Sequence, residues 1–341
     1  MNRIVLAVGL CTLASGALAQ SSVIIYGVAE VGIARISDPH PRYGAHHVTK
    51  MQSGMLQGSR LGFKGTETLT SDLSALYTIE AGYLVDTGES VPDNLLFGRQ
   101  AFVGLHSRKI GTLTMGRQYG PEYESWLKHD PMSDGFAGAA SNLLATNGKR
   151  VDNAVKYATP TINGVEVHVL YGFGEVPGNT NANRDIGASV SYTSGPVYFS
   201  TGYNRLNNAT DTGHAVNYIV GLTYAFPSVK VHSAFAHNKG AEGSRSRDIL
   251  LGVTVPLGPH TVMASYIHKD DRTAAKQNAH QIAFAYSYGI TRRTVVYFSG
   301  AKIFNRNGAT YRTYDADAPS PANGFGGGGT REFNFGIRHA F

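Results

Sequence analysis

The 341-residue chain carries 30 Lys+Arg against 24 Asp+Glu, a net charge of +6, and its basic residues are scattered instead of gathered into runs, which argues against a nucleic-acid binder. Its one cysteine, Cys11, lies in an amino-terminal segment built like an export signal, so a disulfide framework and a thiolate metal site are excluded. With 41 Gly, 19 Tyr, 15 Phe and a mean hydropathy of −0.17, the chain fits strands wet on one face and apolar on the other, or a soluble β-rich protein; composition alone does not decide.

The chain starts with Met1, Asn2 and Arg3, continues through an apolar stretch from Ile4 to Leu18, and reaches the small-residue step Ala17-Leu18-Ala19 before Gln20. That order predicts a signal peptide over 1–19 and a single domain over 20–341. Leu10, before Cys11, is bulkier than the residue lipid attachment requires. After the signal no run of about 18 or more apolar residues occurs, so no transmembrane helix is predicted and only a closed barrel could span a membrane.

The informative signal downstream is alternation with a period of two, which puts one set of side chains on each face of a strand. Val216, Tyr218, Val220, Leu222, Tyr224 and Phe226 share one face, opposed by Asn217, Gly221 and Thr223. Ile249, Leu251, Val253 and Val255 repeat the pattern against Asp248, Gly252 and Thr254, as do Ile282, Phe284, Tyr286 and Tyr288 against Gln281 and Ser287. Sixteen strands are predicted, at 22–36, 56–67, 72–84, 95–107, 110–119, 152–159, 164–173, 185–194, 196–205, 213–226, 228–239, 246–255, 260–270, 277–288, 292–304 and 330–341.

Their connections alternate between short turns, such as 68–71, 107–109 and 256–259, and longer loops, such as 37–55, 85–94 and 305–329. An even count with that alternation predicts an all-β, up-and-down antiparallel transmembrane barrel with short periplasmic turns and long extracellular loops. The last loop ends in Ala322-Asn323-Gly324-Phe325 and four glycines; without Gly-Lys-Ser/Thr or a following helix, it reads as a surface tip and not a phosphate cradle. The connection from Gly120 to Val151 is the outlier, since loops beyond about 12 to 15 residues are usually functional or disordered. Trp126 and its apolar neighbours argue for order.

Several fragments together resemble the trimeric general porins of Gram-negative bacteria, especially those of the Neisseria, Bordetella and Burkholderia group. They are Gly58-Ser59-Arg60-Leu61-Gly62-Phe63-Lys64-Gly65, Gly98-Arg99-Gln100-Ala101-Phe102-Val103-Gly104-Leu105, Gly111-Thr112-Leu113-Thr114-Met115-Gly116-Arg117-Gln118, Asp152-Asn153-Ala154-Val155-Lys156-Tyr157 and the ending Phe335-Gly336-Ile337-Arg338-His339-Ala340-Phe341. The resemblance implies a homotrimer in outer-membrane lipid and lipopolysaccharide, passing small hydrophilic solutes and anions without a cofactor. It also implies a third extracellular loop folded into the barrel, with acids facing a basic wall. Matched motif to motif, the wall is Arg60, Arg99 and Arg150, and the loop acids are Asp130 and Asp134.

The residues agree in part. Arg60, Gly62 and Lys64 oppose Leu61 and Phe63, while Arg150, Asp152 and Lys156 oppose Val155 and Tyr157. Charges on the lipid face near the bilayer middle cost about 2 to 4 kcal/mol each, so these side chains are expected in the lumen. Glu80, Arg117, Glu122 and Glu124 are further lumen-facing candidates, for which a constriction role and plain solvation weigh evenly.

In the last strand, Phe333, Phe335, Ile337, His339 and Phe341 share a face, and the terminal Phe341 resembles the family's signal for the barrel-assembly machinery. No catalytic or metal site is predicted. His232 and His237 lie five residues apart in a strand and point to opposite faces, His46 and His47 fall in an expected loop, and neither a nucleophile elbow nor H-E-x-x-H occurs. The expected function is passive diffusion with a weak anion preference; the alternative is a surface barrel that binds partners through its loops.

Overall fold

The structure, a computed structural model, describes residues 22–39, 44, 46–92, 95–144, 148–314 and 328–341. The expected signal over 1–19 and the glycine-rich tip after Ala322 lie outside them, apart from Gly328 and Gly329. The strands are β1 (Ser22–Ser37), β2 (His47–Ser53), β3 (Arg60–Thr68), β4 (Leu73–Tyr83), β5 (Ser90–Val91), β6 (Gln100–Ser107), β7 (Gly111–Tyr119), β8 (Arg150–Ala158) and β9 (Val165–Gly172). They continue as β10 (Asp185–Ser194), β11 (Val197–Asn207), β12 (His214–Ala225), β13 (Lys230–Lys239), β14 (Arg245–Leu257), β15 (His260–Asp271), β16 (Ala279–Gly289), β17 (Thr294–Asn305) and β18 (Arg331–Ala340). An α-helix, α1 (Pro121–Leu127), follows β7.

Sixteen of these strands form a closed antiparallel circuit: β1, β3, β4 and then β6 through β18, each paired with the next. The ends meet where β18 pairs with β1, from Val28 opposite Ala340 to Ser37 opposite Arg331. The chain terminus completes the seam, since Gly27 and Phe341 exchange two backbone hydrogen bonds of 3.0 Å. Closure leaves no open edge, as a span through hydrocarbon requires.

Two short strands had no counterpart in the sequence reading. β2, which begins at His47, pairs with the half of β1 that β3 does not reach, and β5 pairs with the end of β4. The predicted second strand, 56–67, thus starts at Arg60, after a break at 54–59.

The alternation separates the two faces. Along β12, Tyr218, Val220, Leu222 and Tyr224 are exposed outward, while Asn217, Ile219, Gly221 and Thr223 are buried inward. The same outward apolar band includes Phe235, Ile249, Leu251, Ile282, Phe284, Phe333 and Phe335. Leu251→Arg, mid-band in β14, is expected to cost about 2 to 4 kcal/mol of unfolding free energy in lipid vesicles, read from urea titration. A cost below about 1 kcal/mol would remove Leu251 from the lipid face.

Candidate channel constriction

The third long connection does not stay at the rim. Its side chains pack on the inward residues of the wall: Tyr123, Trp126, Leu143 and Leu144 form one buried cluster with Ile219, Leu250, Ile267 and Ile303. Met132, Phe136 and Ala137 form a second with Ile36, Met55, Ala283 and Tyr297. Burying each large side chain contributes about 1.5 to 3 kcal/mol, enough to hold the segment without a covalent tie.

Hydrogen bonds fix its register. The fully buried His129 bonds Ser200 at 2.7 Å and Thr223 at 3.0 Å, Asn142 donates to Gln281 Oε1 at 2.7 Å, and the Ala137 N–H donates to Ser299 at 3.0 Å. Wall glycines make the approach possible. A Cβ on Gly221 would lie 2.2 Å from the His129 ring, and one on Gly252 2.5 Å from Pro131.

The part of the wall left uncovered carries the basic residues. Arg99 Nε donates to Glu80 Oε1 at 2.7 Å, and its Nη2 donates to the Tyr119 hydroxyl at 3.0 Å. Arg150 Nη2 reaches the same hydroxyl at 3.2 Å, with its guanidinium 5.0 Å from the Tyr119 ring centre. Arg60, held by Gly58 O at 3.0 Å, has Arg99, Glu80, Tyr119 and Arg150 as electrostatic neighbours. Tyr26 donates to the other Glu80 oxygen at 2.9 Å, and Lys64 sits 5.3 Å over the Tyr26 ring. The structure therefore brings Arg60, Arg99 and Arg150 together around Tyr119 and Glu80.

The expected loop acids behave differently. Asp130 is buried inside the loop, where its carboxylate accepts the N–H groups of Met132, Asp134 and Ala140 at 2.9, 2.9 and 3.0 Å. It shapes the segment and does not face the arginines. Asp134 accepts from Lys149 at 2.6 Å and from the Tyr123 hydroxyl at 2.9 Å, so its charge is met within the same connection. Glu124 contacts Lys156 at 3.0 Å and His168 at 3.3 Å across the wall.

Two lumen-facing expectations are corrected. Asn153 takes a positive φ of 50°, a bulge that breaks the register between β7 and β8. Val151 consequently turns inward with Ala154, and Asp152 turns outward, away from the face of Lys156. Arg117 pairs with Asp152 and donates to Gly98 O at 2.7 Å, so its charge is met by the wall itself. Glu122 is not in the water either: it is 3% exposed, held by α1 against Gly202 of β11. Tyr119, Tyr26 and Lys149 were missed. The first directly follows the Gly111–Gln118 fragment; nothing in the sequence singles out the other two.

The family model for Gram-negative porins matches residues 5–308. The chain belongs to the Gram-negative porin family. It is 27% identical to an outer membrane porin protein of Bordetella pertussis and 27% identical to outer membrane porin protein 32 of Delftia acidovorans, each over the whole of both chains. It is also 23% identical to the major outer membrane protein P.IB of Neisseria meningitidis serogroup B, over 86% of this chain and 91% of that one. The anion-selective porin from Comamonas acidovorans superposes with a TM-score of 0.79 at 24% identity, covering 94% of this chain and all of that one. This porin is accordingly an outer-membrane channel for passive diffusion.

Loop docking has a pH dependence of its own. Oε2 of Glu122 receives no hydrogen bond, and the Asp185 carboxylate is its charged neighbour. Burial, reinforced by Asp185, pushes the Glu122 carboxyl from 4.5 up to about 8. Because the docked value is the higher one, the contribution of Glu122 to docking is complete below about 4.5 and is lost as pH rises through about 8. Trp126, the single tryptophan, lies on the same helix and reports the change. Its emission is expected to shift red as pH passes about 8, and Glu122→Gln should abolish the shift. A wild-type emission maximum that stays flat through that range would falsify the assignment.

Proposed function

We propose that this porin conducts with a weak preference for anions, its narrowest region lying between the segment Pro121–Lys149 and the wall of Arg60, Arg99 and Arg150. One observation carries this reading: three guanidiniums converge on the uncovered wall, while the nearby acids already have cationic partners. Glu80 meets Arg99, Asp134 meets Lys149 and Glu124 meets Lys156. The residual field at the wall is positive, which raises the local anion concentration and orients dipolar solutes as they pass. The selectivity in the name of the Comamonas porin agrees with that sign.

Solutes move down their gradients through water, and the reading includes no catalytic step and no cofactor. It also includes a homotrimer in lipid and lipopolysaccharide, and Phe341 as the terminal aromatic that the barrel-assembly machinery reads. A barrel acting mainly as an adhesin leaves the converging arginines without a purpose and is not favoured.

Reversal potentials across a planar bilayer in a potassium chloride gradient test the reading. Wild type should favour chloride, and replacing Arg60, Arg99 and Arg150 together with Gln should bring the channel to neutrality or to cation preference, because Glu80 stays behind. A cation-preferring wild type, or a triple variant with unchanged selectivity, sinks the proposal. Negligible conductance would instead revive the adhesin.

A further inference from the structure

A second ionic cluster lies on the inward side of the wall, apart from the three arginines. Along β9, Val165 and Val169 are exposed outward, so Glu166, His168 and Leu170 take the inward face. The helix α1 adds Glu124 to them. Nδ1 of His168 meets Glu124 Oε2 at 3.3 Å, and its Nε2 lies 3.3 Å from Glu166 Oε1. The other oxygen of Glu124 accepts from Lys156 Nζ at 3.0 Å, and Lys156 also donates to the Tyr119 carbonyl at 3.1 Å. Among the described residues, Glu166 meets no cation except His168.

Directly opposite His168 in the sheet stand Ala158 of β8 and Ser189 of β10, neither of them charged. The charges at the ring are therefore those of Glu124 and Glu166, with Lys156 behind the first. A carboxylate only accepts hydrogen bonds, and a neutral imidazole has one N–H to give. With a carboxylate beside each nitrogen, only the doubly protonated ring has a proton for both. In that form two cations, His168 and Lys156, balance two anions, Glu124 and Glu166. Removing the proton turns a nitrogen lone pair toward a carboxylate and leaves one negative charge uncompensated. Lys156 still holds Glu124, so the charge set free is that of Glu166. The side chains of Glu124, Glu166 and His168 are all partly exposed, so this charge meets water and not a sealed core.

We propose that Glu166 and His168 form a second selectivity station in this channel, neutral while His168 is protonated and negative once it is not. The inference rests on the reading of the chain as a conducting pore. Guanidiniums stay charged throughout the physiological range, whereas an imidazole ordinarily titrates within it. The arginines thus give a fixed preference, and the station adds one that follows pH. Charges lining a pore bias ion entry by their sign, so the preference for chloride is greatest in acid and falls as pH rises.

Reversal potentials in a potassium chloride gradient, recorded at about pH 5.5 and about pH 9 on either side of the imidazole range, test the proposal. The wild-type chloride-to-potassium permeability ratio should fall about twofold between them, the effect of one unit charge about 10 Å from an ion in water. His168→Gln should lose the step and keep the wild type's alkaline ratio at both values. Glu166→Gln in alkali should restore the ratio that wild type shows in acid, since Lys156 and Glu124 then balance. Glu122 is present in all three proteins, so any change in loop docking is common to them. A step of undiminished size in His168→Gln overturns the proposal, and so does a wild-type ratio that stays flat. Glu166→Gln keeps the imidazole and carries the test alone should His168→Gln fail to insert; an alkaline ratio equal to wild type's then overturns it. A wild type that prefers potassium at both values, with a step that disappears in His168→Gln, strikes the anion reading and supports the station.

Discussion

Everything in this molecule follows from the cost of leaving a backbone N–H or C=O unpaired in hydrocarbon. Sixteen strands must close on themselves, and β1 meets β18 over ten paired residues to do so. Once the sheet is closed, each strand has one face in lipid and one in water, and the side-chain period of two becomes obligatory. The outward band and the inward polar residues are two results of one requirement.

Closure at this size also creates a problem, because sixteen strands enclose more space than wall side chains fill. Here a segment of the chain itself fills part of it. Inward Ile219, Leu250 and Ile267 would be misplaced in water; under Trp126 and Leu143 they become a core. Small wall residues complete the fit, since Gly187 lies beneath Pro121, Gly202 beneath Glu122 and Gly221 beneath His129, each at a distance where a Cβ would collide. The covered part of the wall is held by these apolar contacts and by the hydrogen bonds of His129, Ala137 and Asn142, and the arginines lie outside it.

The strands were legible because the lipid face writes itself into the sequence at every second residue; β10 was placed at its observed bounds and most others within two residues. The failures share one physical origin. Parity arguments assume an unbroken strand, and Asn153 breaks one, which sends Asp152 outward to Arg117. Asp130 was misjudged because nothing about spacing says that it will be consumed by three backbone N–H groups of its own segment. A usable signal was nonetheless present: an apolar residue at a wet position, such as Ile219 between Asn217 and Gly221, marks where the loop lies. Arg60 and Arg99 were findable because both lie in fragments that carry the family resemblance; in the fold, Gly58 and Gly82 leave the space that Arg99 occupies.

The choice of arginine at the wall then acquires a reason. Like charges at close range push protons off groups that can lose them, and a lysine held beside other cations would be the first to go neutral. A guanidinium stays charged. Tyr119 takes a hydrogen bond from two of the three arginines, and Glu80 is shared between Arg99 and Tyr26, so the cluster is ordered without being neutralised. An acid for each arginine would have given an equally ordered wall with no net field. By placing one acid among three cations, and meeting Asp134 with Lys149 and Glu124 with Lys156, the chain keeps an excess of positive charge on this wall.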